Sequence, residues 1–327
     1  MLSFHRYAAG RLMSSILLTL LGGKKYRINS RFTSGALPSG WTLTRASVGT
    51  YFNSSGIMQT ASTDVARFDY NPVTLAPKGI LVEPSATNNI LQSAKPGTSP
   101  WIVNANNSAS LSNATSPDGT VSATLLTGTA ATSTGLRQTL SYVNGTTYSV
   151  SAYMKGGTTN YGSLDAYDGA RDFGVMYNLT GSGSVVGNRS NGTVGTPTAS
   201  GITYVGNGWY YCWFTFASTG TGGLLTANQI GGSTAGNLNF STSWTGTLYV
   251  WGYQNEASPT PTSYIDTTTA TVTRAADVLS TTIPSGVSQL IYTFDDGSTQ
   301  TVSVSAGAYT VPTNLNRARI KRIRSDV

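Results

Sequence analysis

Charge is scarce in this chain of 327 residues: Asp, Glu, Lys and Arg together make up 10%, against about a quarter in ordinary globular domains. Histidine occurs once, as His5, and cysteine once, as Cys212. A lone cysteine excludes an internal disulfide framework and a multi-cysteine zinc site, while a single leader histidine leaves Ser-His-Asp, Cys-His and histidine-ligated metal chemistry without their parts. Phosphate-binding and dinucleotide glycine patterns between a strand and a helix are missing. So are long stretches of the Ala, Leu, Glu and Lys that build helices.

What is present is Gly, Ser, Thr and Asn in quantity, with 10% aromatic residues. Thr, Val, Tyr, Phe and Trp suit a pleated, half-buried surface, and Gly and Asn supply tight turns. The expected fold class is therefore all-β. Short strands divided by turns, among them Thr147 to Met154, Trp209 to Phe216 and Thr247 to Trp251, point to a sandwich or barrel. In Thr147 to Met154, the alternation predicts Tyr148, Val150, Ala152 and Met154 inside, with Thr147, Ser149, Ser151 and Tyr153 outside.

The formal charge of +7 is unevenly placed. Residues 1–31 and the last eleven residues hold eleven of the 20 basic groups and one of the 13 acids, so the ends sum to +10 and the remainder to −3. A mildly acidic body has no stripe with which to neutralise phosphates, and the expectation is no nucleic-acid partner, the basic ends being docking segments. Residues 1–31 combine Arg6 and Arg11 with an apolar run from Leu12 to Leu21. That run is too short to span a bilayer and lacks a small-residue cleavage site before Lys24-Lys25; it reads as an anchoring plug for a partner protein, with no membrane partner.

Four segments follow from these shifts: a basic and apolar leader (1–31), a hairpin segment (32–92), a larger β domain (93–281) and a C-terminal hairpin unit with a basic tail (282–327). The strongest hairpin signal is Leu290 to Phe294, Asp295-Asp296-Gly297-Ser298, then Thr299 to Val304, with a third strand expected near Ala308 to Val311. Cys212, in Trp209-Tyr210-Tyr211-Cys212-Trp213-Phe214, reads as a buried apolar residue. Trp209, Trp213 and Trp251 read as core. Arg45, Arg67 and Arg274 sit beside apolar residues, so they are expected to hold hairpins together through carboxylates such as Asp69, Glu83 and Asp277.

The segment from Thr44-Arg45-Ala46-Ser47 to Leu91 carries Val65-Ala66-Arg67-Phe68-Asp69-Tyr70, Pro77-Lys78-Gly79-Ile80-Leu81-Val82-Glu83 and Ala86-Thr87-Asn88-Asn89. It resembles the head spike fibre domain of bacteriophages and gene transfer agents. Downstream, Ser116-Pro117-Asp118-Gly119-Thr120, Gly145 to Tyr153, Gly206-Asn207-Gly208-Trp209-Tyr210 and Trp251 to Glu256 resemble a carbohydrate-binding-module-like jelly roll. Pro261 to Asp266 and Thr273-Arg274-Ala275-Ala276-Asp277 close the match, which covers about residues 40–280. The resemblance implies a virion surface location on head or tail, a homo-oligomer such as a trimer, capsid or tail proteins as partners, and a host surface glycan as ligand. A decoration or adaptor protein with a purely structural role is the alternative, and a polysaccharide depolymerase stands third.

No catalytic residue is expected. The acidic cluster Asp165 to Asp172 reads as a loop that is a solvated turn, a Ca²⁺ site or an acid pair for glycan hydrolysis. Aromatic faces beside planar donors are the usual equipment of sugar recognition, so the glycan candidates are Tyr161, Tyr167, Asp168 and Arg171 there, with Trp244 on another loop. Asp118 either bonds nearby backbone in its turn or ligates a structural Ca²⁺; no other cofactor is expected.

Overall fold

In a computed structural model, residues 27–131, 135–220, 225–233, 236–240 and 244–325 are described. Most of the leader, residues 1–26, lies outside them, and with it the expected plug. The described residues form 25 strands and no helix, so no helix among them is long and apolar enough to cross a membrane. The chain opens with β1 (Asn29–Arg31), β2 (Thr42–Thr44), β3 (Gly49–Phe52), β4 (Met58–Ala61), β5 (Phe68–Tyr70), β6 (Pro77–Leu81) and β7 (Ala86–Asn88). Twelve strands follow: β8 (Ile102–Val103), β9 (Asn107–Thr115), β10 (Val121–Ala131), β11 (Leu136–Ser141), β12 (Thr147–Gly156), β13 (Tyr161–Tyr167), β14 (Asp172–Asn178), β15 (Ser184–Asn188), β16 (Ala199–Gly206), β17 (Trp209–Ala217), β18 (Leu225–Ser233) and β19 (Trp244–Glu256). The chain closes with β20 (Val272–Arg274), β21 (Val278–Ile283), β22 (Gln289–Phe294), β23 (Thr299–Ser303), β24 (Gly307–Thr310) and β25 (Arg319–Ser325).

The middle twelve strands form two six-stranded sheets, ordered β16-β17-β12-β19-β10-β9 and β15-β14-β13-β18-β11-β8. Four antiparallel pairs are nested in sequence: β10 with β19, β11 with β18, β12 with β17, and β13 with β14. Folding that ribbon so that β10 to β13 alternate between the sheets produces a jelly roll. The core between the sheets includes Leu126, Val150, Met154, Leu164, Val175, Phe214, Phe216, Ile230 and Val250, all fully buried, and each large apolar side chain there contributes about 1.5–3 kcal/mol.

Strand β12 departs from its expected exposed face. Ser149, Ser151 and Tyr153 are buried as well as Val150, Ala152 and Met154, because the outer side of that sheet is covered. Tyr153, Trp209 and Trp251 pack there with Met58 of β4, Val205 and Tyr264 in a second, smaller core. The β3–β4 hairpin therefore makes a third layer.

Both flanking segments build a single base. Its main sheet runs β23-β22-β25-β6-β5, with β1 also on β25. The β22–β23 hairpin forms where expected, with Leu290 opposite Val302. Strand β24, however, leaves that hairpin and pairs with β21, which pairs with β2. Phe32, Ile80, Leu279, Tyr292, Phe294, Ile320 and Ile323 form a common core from both ends of the chain. Gly79 is required at the crossing of β6 and β25: its φ is +99° and a Cβ there would stand 2.1 Å from the Ile320 carbonyl oxygen, which no side chain tolerates.

The base is tied together by a buried ionic cluster. Arg45 donates to Asp277 at 3.0 Å, Arg67 reaches Asp277 at 2.5 Å and Glu83 at 2.9 Å, and Arg274 lies 3.5 Å from Glu83. All three guanidinium groups are fully buried, as the sequence led one to expect for the pairing with Glu83 and Asp277. Asp69 takes Arg319 of β25 instead, at 2.5 Å. Further donors go to backbone carbonyls of Ser47, Thr50, Ser62 and Pro84 and to the Ser263 hydroxyl, while Nε of Arg67 and of Arg274 have no hydrogen-bond partner among the described residues. A Cβ on Gly49 would come within 3.3 Å of all three arginines, so a side chain there would require the cluster to shift by a few tenths of an ångström.

Burial would raise the Glu83 carboxyl, but the charges of Arg67 and Arg274 and the Ser263 hydroxyl hold it down at about 2. A depressed folded pKa contributes stability above the ordinary carboxylate range that is lost as pH falls toward 2. Glu83→Gln, which leaves buried guanidinium charge uncompensated, is expected to cost about 3–5 kcal/mol at pH 7. Denaturant unfolding of parent and variant at several pH values should show that gap narrowing between pH 4.5 and 2; a pH-independent gap contradicts this role.

Candidate functional site

One broad face of the jelly roll is occupied by the base layer, which leaves the outer face of the β13-containing sheet. Along β13, Leu164 and Ala166 point into the core, so Tyr161, Ser163, Asp165 and Tyr167 face outward. Register sets two rows across this face. One runs Gly174, Asp165, Gln229, Arg137 and Ile102; the other runs Asp172, Tyr167, Ala227 and Thr139.

Asp165 to Asp172 is thus not one loop: Asp165 to Tyr167 end β13, Asp172 begins β14, and the turn between is 168–171. Asp165 is buried. Arg189, beyond β15, forms a short ion pair with Asp165 and lies 3.3 Å from Asp172, while its guanidinium stands 5.7 Å over the Phe240 ring. Phe240 in turn fills the space left by Gly174, whose Cβ would lie 2.7 Å from the ring. Burial, reinforced by the nearby Asp172 charge and opposed by Arg189, pushes the Asp165 carboxyl up to about 7.

Asp168, expected as a glycan ligand, is instead a buried knot between two loops. Its Oδ1 accepts from the backbone of Ala170 at 2.9 Å and Arg171 at 2.7 Å, and its Oδ2 from Thr219 at 2.6 Å and Gly220 at 3.0 Å. Burial disfavours its charge, but those donors lower its pKa below the usual value. An acid so enclosed has no face to offer a sugar.

Tyr167 and Arg171 are exposed at this end of the sheet. Tyr167 donates its hydroxyl to the Gly169 carbonyl at 2.9 Å, which leaves the ring edge held and the ring accessible. Tyr161 lies at the opposite end of β13, about 20 Å away at strand rise, with its ring beside Gly236. Trp244 is also misplaced by the sequence reading. It opens β19 with its indole wedged between Gly128 of one sheet and Gly232 of the other, and it is 2% exposed. It therefore plugs the end of the core rather than presenting a platform. Asp118 Oδ1 accepts from Ser116 Oγ at 2.6 Å, from Thr120 N at 3.0 Å and from Thr120 Oγ1 at 2.8 Å, which closes the β9–β10 turn. No group of three acidic, histidine or cysteine side chains suited to a metal ion gathers among the described residues.

No family model matches this chain, and no curated protein matches it. Among solved structures it is similar to the enzymatically active domain of tailspike protein 4 of bacteriophage CBA120, at 11% identity and a TM-score of 0.31. The match covers 51% of this chain and 21% of the other, so it spans about one fifth of that neighbour's length.

The remaining accessible equipment on this face is an aromatic ring (Tyr167), two planar cations (Arg137 and Arg171) and a hydroxyl (Thr139). Such a set can stack on a sugar ring and donate to its oxygens. Arg137 and Arg189 were not foreseen; each acquires its role only through strand register or a return of the chain 24 residues after Asp165.

Because the folded pKa of Asp165 is raised, its contribution to stability is present below about pH 4 and lost as pH rises through 7. Asp165→Asn should therefore gain stability relative to the parent between pH 4 and pH 8. Thermal unfolding across that range measures it, and parallel curves for the two proteins would contradict the assignment.

Proposed function

We propose that this chain is a virion surface protein of the phage spike or fibre kind, which holds on through its base and presents the jelly roll to a host surface glycan without cleaving it. The observation that carries this reading is the insertion: strands from both ends of the chain close one base, and the whole jelly roll is inserted between β7 and β20. That arrangement anchors at one place and displays at another. The motifs shared with head spike fibre proteins support the same location on a particle. In a homo-oligomer such as a trimer, weak sites on the β13 face would reinforce one another, since linked copies make later contacts intramolecular.

A decoration or adaptor role is favoured by one feature, the exposed Ile57, Val73 and Leu75 on the loops of the base, where a neighbouring subunit would remove apolar surface from water.

The test is retention of the full-length protein on host surface polysaccharides, with cleavage followed in the same samples. Tyr167→Ala and Arg137→Ala are expected to weaken retention by roughly two- to tenfold each, with no reducing ends released. Absence of retention on every host glycan rejects the binding claim, and released oligosaccharide rejects the non-catalytic one.

A further inference from the structure

Arg137 on β11 and Arg171 in the turn 168–171 are exposed, and neither forms an ion pair among the described residues. Arg171 Nη1 meets the Val194 carbonyl at 3.5 Å, the outer limit of a hydrogen bond. The acids of this region are spent: Asp165 and Asp172 share Arg189, and Asp168 is enclosed by the backbone amides of two loops. With the Asp165 carboxyl pushed up to about 7, that pair carries little more at neutrality than the one charge Arg189 balances. The other described acids are held elsewhere, in the arginine cluster of the base, on Arg319 and Arg317, at the backbone of Arg45 and Thr120, or beside Thr262 and Tyr264. Residues 1–26, 132–134, 221–229, 234–235 and 241–243 contain no Asp or Glu, and Asp326 follows β25 of the base. The chain therefore supplies no counter-charge to these two arginines, although its body between the basic ends sums to −3.

We propose that the polysaccharide taken by this face is acidic, with a carboxylate on its repeating unit, and that Arg137 and Arg171 bind such carboxylates around a sugar ring stacked on Tyr167. The inference rests on the glycan reading of this face and narrows its ligand. Register places Thr139 on the row of Tyr167, two strands away, and Arg137 at the next outward position of β11, which sets its Cα about 12 Å from that of Tyr167 at ordinary strand spacings. Arg171 lies four residues beyond Tyr167, in the turn into β14. An extended sugar chain crossing the strands over the ring can thus meet both guanidinium groups. A planar fork of donors matches a carboxylate in bidentate fashion, and such charge-assisted bonds are roughly twice as strong as those to a neutral hydroxyl. A neutral sugar would leave both cations unmatched. Single-stranded nucleic acid fits less well, because it is held on successive aromatic platforms and Tyr167 supplies one.

Retention of the full-length protein on polygalacturonate, with its methyl ester, poly-L-glutamate and oligothymidylate in parallel, tests it. The protein should hold the acid roughly five- to tenfold more tightly than the ester, which has the same backbone without the charge. Arg137→Gln with Arg171→Gln should remove that difference with melting unchanged, while Lys95→Gln, an exposed cation before β8, leaves it intact. Arg137→Gln alone gives a smaller loss of the same kind should the double variant fold poorly. Tyr167→Ala should weaken binding to polygalacturonate and not to poly-L-glutamate. Equal retention on acid and ester overturns the inference and leaves the glycan reading standing. It is overturned as well by retention on neither, by tighter binding of poly-L-glutamate or oligothymidylate, or by loss that follows glutamine substitution of Arg6, Arg11, Lys24 and Lys25 rather than of the two face arginines. Retention on host polysaccharide, measured on the same parent protein, judges the glycan reading separately.

Discussion

Arg45, Arg67 and Arg274 come from three separate stretches of chain and share two carboxylates, Glu83 and Asp277, in a site closed to water. Burying such charges carries a penalty of several kcal/mol per ion, recovered only where each donor and acceptor is matched. The matching is nearly complete here: Ser263 donates twice to Glu83, the Glu83 amide donates to Asp277, and backbone carbonyls take most remaining guanidinium protons. Removing one partner therefore strands the others. This cluster joins β2 to β6 at one end of the sequence with β20 and β21 at the other, so the jelly roll between them starts and finishes at the same place.

The passage from base to jelly roll is also specified by polar contacts. Asn88, fully buried, donates to the carbonyls of Tyr253 and Ile265 and accepts from the amides of Ile90 and Asn255, which uses its amide in full. The outgoing and returning chains are held by one side chain. With the base layer packed over Trp209 and Trp251, the outer face of one sheet of the sandwich is committed to structure. Tyr153, Tyr211 and Trp251 cluster on that covered side.

Much of the framework was legible in the residues. Turn chemistry and β-branched runs indicated an all-β sandwich, and arginines set among apolar neighbours required carboxylates. What failed did so for identifiable reasons. Asp69 was assigned to the wrong arginines because its partner, Arg319, lies 250 positions away. Asp168, beside Gly169, has the look of a solvated turn, yet its acceptors are consumed by a loop 50 residues on. Trp244 follows Ser-Thr-Ser and so read as a loop residue, while β18, with Gly231-Gly232, shows no apolar alternation because Gly232 must make room for that indole. Each error concerns a partner remote in sequence, which composition and periodicity do not encode.

The base closes as one unit around the buried arginines, and the jelly roll encloses an interior core of its own. Hydrogen–deuterium exchange on Arg67→Met measures this most directly. Protection is expected to fall together in β1, β2, β6, β21 and β25 while β12, β13, β17 and β19 retain theirs. Loss confined to β5 and its neighbours in sequence, or equal loss throughout the jelly roll, would contradict the account.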